Sequence, residues 1–412
     1  MISPVQPWVA QITGLGEKLS AETLRAWQLE QVRKTIKYAK NNSVFYQQRL
    51  RDVSESVIES MSDMQHIPFS YPEDIVREGK SFVCVPQREI SRITTLSTSG
   101  SLGNPKRIYF TENDLERTVD FFVHGMSTMV SAGQAVLILM SSRTENSIGD
   151  LLQKGLRRIG VSAEIHGNVK DVPAALKAAR RFNCLVGIPA EIMRLCREDE
   201  SLRPESVLLS ADYVPESVIQ GIKETWHCKV FTHYGMTETG FGGGVQCEAG
   251  LEYHLRDADL LVEIVDFNTG LPVPPGQYGE VVLTTLRNEA MPLIRYRTGD
   301  IARMNDSPCP CGGILPRLDK VMGRRANMIF LESGMYLSIH ELDEIMFAIS
   351  GLKDYRAKLM GGKELNLTVE ADRELDEKNL TQKLPPCLEI KIEYAQVGPM
   401  EFTGKRRMQV LP

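Results

Sequence analysis

The 412-residue sequence has no apolar run approaching the ~20 residues that a helix needs to span a bilayer. It also lacks an excess of positive charge: the formal net charge is −5, which argues against broad binding to nucleic acids or anionic membranes. The N-terminus lacks a basic stretch followed by an apolar one, so we expect no export signal and predict a cytoplasmic protein. No internal repeat or low-complexity tract interrupts the chain.

Cysteine is scarce, and of the eight cysteines only Cys309 and Cys311 lie close together in sequence. In a cytosolic chain this favours reduced thiols and one metal site over a disulfide framework. Cys247 and His254 offer a third thiolate and an imidazole, so the four residues predict a closed, structural zinc site of the Cys₃His type. The alternative is a pair of reduced surface cysteines beside a polar histidine. The other cysteines are expected mostly in apolar surroundings.

The arrangement of apolar residues predicts an α/β protein with more than one domain. Between residues 135 and 232, short apolar runs alternate with helical segments, which indicates a mainly parallel, doubly wound sheet. From residue 260 onward, β-rich runs separated by turn residues predict an antiparallel or barrel-like subdomain. After a junction at residues 318–325, the pattern predicts a small α+β unit.

Two local patterns predict helices before the parallel sheet. Residues 15–60 are expected to be mainly helical, and their apolar positions recur on one face. These positions are Leu29, Val32, Ile36 and Ala39. Thr111 is a good N-cap for a second helix, with Asp114 at the capping-box position.

Residues 97–107 form a hydroxyl- and glycine-rich segment that ends in two cations and joins two predicted strands. Gly100 and Gly103 permit close approach of the backbone to a ligand, and Lys106 adds a mobile charge. The hydroxyl donors are Ser97, Thr98, Ser99 and Ser101. The combination suits a polyphosphate, although the spacing is not that of the G-x-x-x-x-G-K-[ST] loop. In isolation, the segment is equally compatible with a solvated turn.

Five stretches together resemble the adenylate-forming (acyl- and aryl-CoA synthetase) superfamily, specifically its phenylacetate–CoA ligase-like branch. In chain order they are residues 97–106, Tyr234-Gly-Met-Thr-Glu238, Tyr296-Arg-Thr-Gly-Asp300, Gly323-Arg324 and Thr403-Gly-Lys405. The branch is indicated by Val44-Phe-Tyr46, Ile67-Pro-Phe, Pro292-Leu-Ile-Arg-Tyr-Arg and Cys309-Pro-Cys311-Gly-Gly. The likeness spans residues 30–407.

The resemblance implies a two-step reaction. An aryl or small acyl carboxylate attacks the α-phosphorus of MgATP, giving an acyl-adenylate and pyrophosphate, and a thiol, normally coenzyme A, then displaces AMP. It also implies an AMP-binding domain over residues 1–322 and a mobile α+β lid over residues 323–412. The large domain would combine mainly parallel sheets with the β-rich subdomain.

The resemblance assigns roles to individual residues. The loop at 97–107 would hold the β- and γ-phosphates, and Glu238 would bind Mg²⁺ through its carboxylate. Tyr234 would stack on adenine, Thr237 would contact the α-phosphate, and Gly235 and Met236 complete that motif. The ribose would be held by Asp300 and Arg324, and adenine would be approached by Asp212. Lys405 would bridge the carboxylate and the α-phosphate during adenylation.

The acyl pocket is implied to lie along residues 141–148 and along the glycine loop after Tyr234. The first wall is unusually polar, with Ser142, Arg143 and Ser147. The second wall includes Phe241 and Gly242 and leaves room beside Phe241. The hypothesis is that Arg143 or a neighbouring hydroxyl contacts a polar group of the substrate. The alternative is that these residues face solvent. His233 is expected in a loop that lines the nucleotide site, rather than as an acid–base catalyst.

One departure from the family concerns the hinge, where Ala326 replaces the acidic residue. This makes the second half-reaction less certain. Transfer of the acyl group to a carrier-protein thiol or to an amine therefore stays open, as does, less favoured, a non-catalytic nucleotide-binding protein. The sequence does not decide the oligomeric state, and a homodimer is one option.

Overall fold

The computed structural model describes residues 1–96, 105–142, 144–250, 252–395 and 406–411. The helices within these ranges are α1 Val5–Thr13, α2 Ala21–Asn42, α3 Val44–Arg49, α4 Pro72–Glu78, α5 Glu112–Met126, α6 Ile148–Arg158, α7 Val172–Ala179, α8 Pro189–Glu198, α9 Glu216–Trp226, α10 Ile339–Phe347 and α11 Glu377–Lys383. No described helix combines the length and the apolar character that crossing a membrane requires.

The strands over the same ranges run from β1 to β20. They are β1 Arg92–Leu96, β2 Lys106–Phe110, β3 Ala135–Leu139, β4 Ser162–Ile165, β5 Cys184–Gly187, β6 Ser206–Leu209, β7 Lys229–Tyr234, β8 Gly244–Gln246, β9 Tyr253–Leu255, β10 Leu260–Val265, β11 Gly279–Thr285, β12 Tyr296–Ala302, β13 Met304–Asn305, β14 Arg317–Leu318, β15 Ile329–Phe330, β16 Tyr336–Leu337, β17 Leu352–Met360, β18 Glu364–Ala371, β19 Glu389–Tyr394 and β20 Gln409–Leu411.

The chain divides into two compact units. The first comprises residues 1–129, 144–159 and 233–321, and the second comprises residues 130–143, 160–232 and 322–412. The last boundary, at 321/322, lies within the predicted junction. The assignment of residues 1–322 and 323–412 to separate domains stays a prediction.

Antiparallel pairing dominates the first unit. Strand β11 pairs with β10 on one side and β12 on the other, and both pairs are antiparallel as predicted. Strands β1 and β2 also pair antiparallel, from Arg92 opposite Phe110 to Leu96 opposite Lys106, so the glycine-rich segment joins the two strands of a hairpin. The hairpin places Lys106 at the start of its second strand.

The predicted helices of the first unit form, and their apolar stripe and capping box are present as predicted. The four apolar positions of α2 are all buried. At the start of α5, the Thr111 hydroxyl accepts the Asp114 N–H at 3.1 Å, and the Asp114 carboxylate accepts the Thr111 N–H at 3.0 Å. Helix α1 was not predicted, although Val5, Trp8 and Val9 lie at helical spacing and are buried.

The second unit contains the predicted parallel sheet. Strand β3 pairs in parallel with β4 and β5, β5 with β6, and β6 with the first four residues of β7. The C-terminal segment adds a sheet in the order β19-β18-β17-β20, in which β17 and β18 are antiparallel and both outer pairs are parallel. Helix α8 and strand β20 were not predicted.

One continuous apolar core joins the two parts of the second unit. It includes Leu137 and Val207 of the parallel sheet, Ile219 of α9, and Leu342 and Leu359 of the C-terminal segment. The C-terminal segment therefore packs against helices α8 and α9 through buried apolar surface.

Candidate nucleotide and metal sites

Three residues that are distant in sequence form a charged cluster in the first unit. The Lys106 ammonium pairs with the Glu238 carboxylate, and the Lys106 side chain is only 13% exposed. Lys106 also donates to the Tyr296 hydroxyl at 3.3 Å, and that hydroxyl donates to Glu238 Oε1 at 3.2 Å. Burying both charges is costly, so the pair is not explained by a gain in stability alone.

The loop after β7 presents Glu238 through a tight turn. Thr237 begins a 3-10 helix over Thr237–Thr239, and the Met236 carbonyl accepts the N–H groups of Thr239 at 3.2 Å and Phe241 at 2.9 Å. Gly235 is required because a Cβ at this position would lie 2.1 Å from the Phe241 carbonyl oxygen. The turn therefore fixes the direction in which the carboxylate points.

A second pair lies on the same structural elements. The Tyr234 hydroxyl donates to Asp300 Oδ2 at 3.0 Å, and both side chains are buried. Asp300 lies four residues after Tyr296 on β12, beyond a shift in the register with which β12 pairs with β11. Two contacts therefore connect β12 with the end of β7 and the turn that follows it. They are Tyr234 with Asp300 and Tyr296 with Glu238.

Tyr296 is a member of this cluster to which the sequence assigned no role. Its place at the start of the motif Tyr296-Arg-Thr-Gly-Asp300 was the available clue. Only the folded chain shows its hydroxyl on both Lys106 and Glu238.

Two further predicted nucleotide residues lie in the second unit. Asp212 follows Ala211, which has the left-handed backbone angle φ of +73°. Its carboxylate accepts the N–H groups of Tyr213 at 2.9 Å and Arg406 at 2.8 Å. Arg324 is half-buried and precedes the 3-10 helix Arg325–Asn327.

The predicted pocket residues are placed as follows. Ser147 precedes α6 and is buried, and Ser142 is half-buried. The Phe241 ring lies 5.8 Å from that of Phe110. A Cβ on Gly242 would lie 2.5 Å from the Phe121 ring, so this glycine permits close packing against Phe121. The predicted room beside Phe241 stays a prediction.

His233 differs from its prediction. It is the penultimate residue of β7, not a loop residue, and its ring lies 6.3 Å from Phe121 and 6.4 Å from Phe122. Burial lowers the pKa of His233 to about 4, so the ring is neutral at pH 7.

Several predicted residues lie outside the described part of the chain. They are Ser97, Thr98, Ser99, Gly100, Ser101, Gly103, Arg143 and Lys405. Their roles stay predictions.

The four predicted metal ligands come together in the first unit. The ligand atoms of Cys247, His254, Cys309 and Cys311 all lie within 4.8 Å of one another. The Cys247 and Cys309 sulfurs are 3.6 Å apart, and the Cys311 sulfur is 3.6 Å from Nε2 of His254. A tetrahedral zinc ion with ordinary bond lengths requires separations of about 3.8 Å and about 3.6 Å for these pairs. A disulfide would need ~2.05 Å, so Cys247 and Cys309 are not bonded to each other, and the separations are compatible with a metal ion.

The surroundings of this cluster favour the metal-binding protonation state at His254 and Cys311, whereas burial raises the pKa of the Cys247 thiol to about 12. Burial lowers the pKa of His254 to about 4, which leaves a neutral imidazole at pH 7. Burial alone would raise the pKa of the Cys311 thiol, but N–H donation from Ser3 and Gly313 brings it below its ordinary value. The Gly313 N–H lies 3.4 Å from the sulfur. A Cβ on Gly313 would lie 3.0 Å from the His254 ring, so glycine is needed for closure of the cluster.

Comparisons with known proteins agree with this architecture. The chain is 27% identical over 351 residues to the phenylacetate-coenzyme A ligase of Thermus thermophilus, covering 81% of this chain and 77% of the relative. It is 24% identical over 389 residues to the Pseudomonas putida enzyme of the same name, covering 88% and 85%. No protein-family model matches the chain.

A solved structure extends the likeness to the fold. It is the crystal structure of 2-hydroxyisobutyryl-CoA ligase in the postadenylation state, in complex with R3-HIB-AMP. The TM-score is 0.80 at 20% identity, over 96% of this chain and 91% of the neighbour. The resemblance found in the sequence is thereby confirmed: the chain has the fold of adenylate-forming CoA ligases and is related over most of its length to phenylacetate–CoA ligases.

Proposed function

We propose that the protein activates a carboxylic acid with ATP, forming an acyl-adenylate and pyrophosphate, and transfers the acyl group to coenzyme A. The observation that carries the proposal is the convergence of Lys106, Glu238 and Tyr296, next to the Tyr234–Asp300 pair. A protein that only binds a nucleotide would not require the buried Lys106–Glu238 ion pair, whereas an enzyme that activates an acid with ATP would use both charges.

The cluster supplies what the first step requires. The reaction brings a carboxylate and a polyphosphate together, so their charges must be offset before bond formation. Glu238 would hold Mg²⁺ together with phosphate oxygens, as a hard cation prefers oxygen ligands. The metal would neutralise the charge that develops on pyrophosphate. Once Glu238 faces a cation, Lys106 can exchange its carboxylate partner for phosphate.

The remaining assignments belong to the same proposal. Tyr234 and Asp300 are assigned to adenine and ribose, Thr237 to the α-phosphate, and Asp212 and Arg324 to the nucleoside. The loop 97–104 is assigned to phosphate binding and Lys405 to catalysis, both by resemblance. The acid itself, a homodimer and the cytoplasmic location stay predictions.

The test is carboxylate-dependent ATP–pyrophosphate exchange, measured over a panel of phenylacetate, hydroxybenzoates, 2-hydroxy acids and dicarboxylates. We expect exchange with at least one acid and loss of at least ~100-fold in Lys405→Ala. Exchange without any acid dependence would contradict the proposal. Addition of coenzyme A then separates the acceptors: thioester formation supports the leading function. Accumulated acyl-AMP would favour a carrier protein or an amine, the alternative raised by Ala326.

We further propose that Cys247, His254, Cys309 and Cys311 bind one structural zinc ion. The support is the match of both measured separations to tetrahedral geometry and the burial of three of the four side chains. Four protein ligands leave no open position for a substrate, so the role is structural. The ion would fasten β8, β9 and the turn before β14 to one another.

A further inference from the structure

Helix α9 begins without a capping side chain of its own. Its N-cap residue is Pro215, whose ring has no hydrogen-bond acceptor, although the first N–H groups of any helix need external acceptors. These acceptors come from α10: Glu344 Oε1 accepts the Glu216 N–H at 2.9 Å, and Oε2 accepts the Ser217 N–H at 3.3 Å. A carboxylate is well suited to this position because the helix dipole is positive there.

The same carboxylate reaches the loop before the helix. Glu344 Oε1 also accepts the Tyr213 hydroxyl at 2.7 Å. The Tyr213 ring stacks on His340, with centroids 4.4 Å apart and planes inclined by 17°. His340 and Glu344 are four residues apart on α10 and therefore share one helix face. This face of α10 fixes Tyr213 by both its ring and its hydroxyl.

The loop that Glu344 contacts, residues 210–215, has a backbone conformation that depends on its surroundings. Ala211 has a φ of +73°, which a residue with a Cβ adopts only when its surroundings impose it. On its other side, the Asp212 carboxylate accepts the backbone N–H of Arg406 at 2.8 Å. The Arg406 side chain is itself fixed by Asp343 at 2.8 Å and Asp354 at 2.6 Å. The C-terminal segment therefore supports the loop at both Asp212 and Tyr213.

We propose that Glu344 is a positioning residue: it holds the loop 210–215 so that Asp212 is correctly placed to contact the nucleoside. This rests on the proposed function, which assigns Asp212 to the nucleotide. Glu344 accepts hydrogen bonds from helix N–H groups and from Tyr213, and it acts on the nucleotide through Asp212. Loss of Glu344 releases the loop and weakens nucleotide binding, whereas the reacting groups stay in place. The effect therefore falls on the KM for ATP rather than on kcat.

The experiment compares Glu344→Ala, Glu344→Gln and Tyr213→Phe in ATP–pyrophosphate exchange with an acid that the wild-type protein accepts. We expect the KM for ATP to rise about tenfold in Glu344→Ala and about threefold in Tyr213→Phe, with kcat within about twofold. Glu344→Gln keeps one oxygen for the Glu216 N–H and the Tyr213 hydroxyl but turns an NH₂ donor towards the Ser217 N–H, so it recovers part of the loss. AMP affinity, measured by calorimetry, changes in parallel. Glu374→Ala, an exposed carboxylate of the same segment, is the control and leaves both values unchanged.

An unchanged KM for ATP in a folded Glu344→Ala protein overturns the inference. A fall in kcat with no change in KM or AMP affinity does the same. If Glu344→Ala does not fold, Tyr213→Phe decides, since it removes one hydroxyl and leaves the helix cap intact. Failure of the proposed function is distinguishable from failure of this inference. In that case the wild-type protein shows no acid-dependent exchange, while calorimetry still measures whether Glu344→Ala weakens AMP binding.

Discussion

At the scale of single residues, the charged cluster depends on the mutual neutralisation of Lys106 and Glu238. Each charge is largely removed from water, so removing one leaves the other buried without compensation. Tyr296 adds a neutral hydroxyl that contacts both. Such a cluster is costly in a resting protein, and the proposed magnesium–phosphate ligand, which carries charges of both signs, would account for it.

Glu238→Gln tests whether the negative charge of Glu238 is required, because it replaces one carboxylate oxygen with an NH₂ group. The amide keeps the shape but loses the charge, so Mg²⁺ loses a ligand and Lys106 its counter-ion. We expect pyrophosphate exchange to fall at least ~100-fold, with the melting temperature lowered by a few degrees at most. The assay is the same exchange reaction at saturating acid, with circular dichroism as the check on folding.

Glu112→Gln serves as the comparison, because Glu112 is an exposed carboxylate in the first turn of α5. It should retain wild-type exchange. An active Glu238→Gln protein would remove Glu238 from the proposed site.

At the scale of elements, the turn between β7 and β8 is built by close packing of the backbone. The missing Cβ of Gly235 lets the Phe241 carbonyl approach, and Phe121 occupies the space beside Gly242. The turn therefore positions Glu238 by steric fit rather than by flexible loop residues. Its precision depends on glycine at position 235.

Gly235→Ala should consequently disrupt both the turn and the activity. The new methyl group would meet a backbone oxygen at 2.1 Å, which cannot move aside as a side chain could. We expect a loss of about 2–3 kcal/mol in the free energy of unfolding, measured in urea, and a strong loss of exchange activity.

Gly79→Ala is the matched change for this prediction. At Gly79 the backbone is helical, with φ of −51°, and a Cβ would make ordinary contacts at 3.5 Å. Its free energy of unfolding should stay within about 0.5 kcal/mol of wild type. Equal stability of the two variants would contradict the steric account of Gly235.

At the scale of the whole molecule, the Cys/His cluster connects segments that are far apart in the chain. Cys247 directly follows β8, His254 lies within β9, and Cys309 and Cys311 lie between β13 and β14. Helix α1 contacts the segment that follows Cys311, because the Gln6 side chain accepts the Ile314 N–H at 2.7 Å. A zinc ion here would stabilise the first unit as a cross-link.

Metal analysis and thermal unfolding test the zinc proposal together. We expect about one zinc per chain, and its removal by a chelator to lower the melting temperature by about 5–10 °C, reversed when zinc is restored. Cys309→Ser should lose the metal, whereas Cys84→Ser, which changes a buried cysteine outside the cluster, should keep it. A pure protein without zinc and with an unchanged melting temperature after chelation would contradict the proposal.

Much of the fold could be predicted because its determinants are local. The capping box at Thr111, the buried stripe of α2 and the alternation of strands and helices each depend on neighbours in sequence. Helix α8 and strand β20 were missed. Helix α8 is a short amphipathic helix that begins at Pro189, and β20 is a three-residue strand whose pairing partner, β17, is distant in the chain.

The sequence by itself determined the kind of fold, the family resemblance and the four candidate metal ligands, because these depend on residue type, spacing and order. Only the tertiary structure decided that Tyr296 joins the ion pair, that Glu344 caps a helix it does not belong to, and that His233 is packed between phenylalanines. The reason is physical: such contacts join residues separated by tens to hundreds of positions, and no local pattern records which distant side chain will supply a missing hydrogen-bond acceptor or occupy the space beside a glycine.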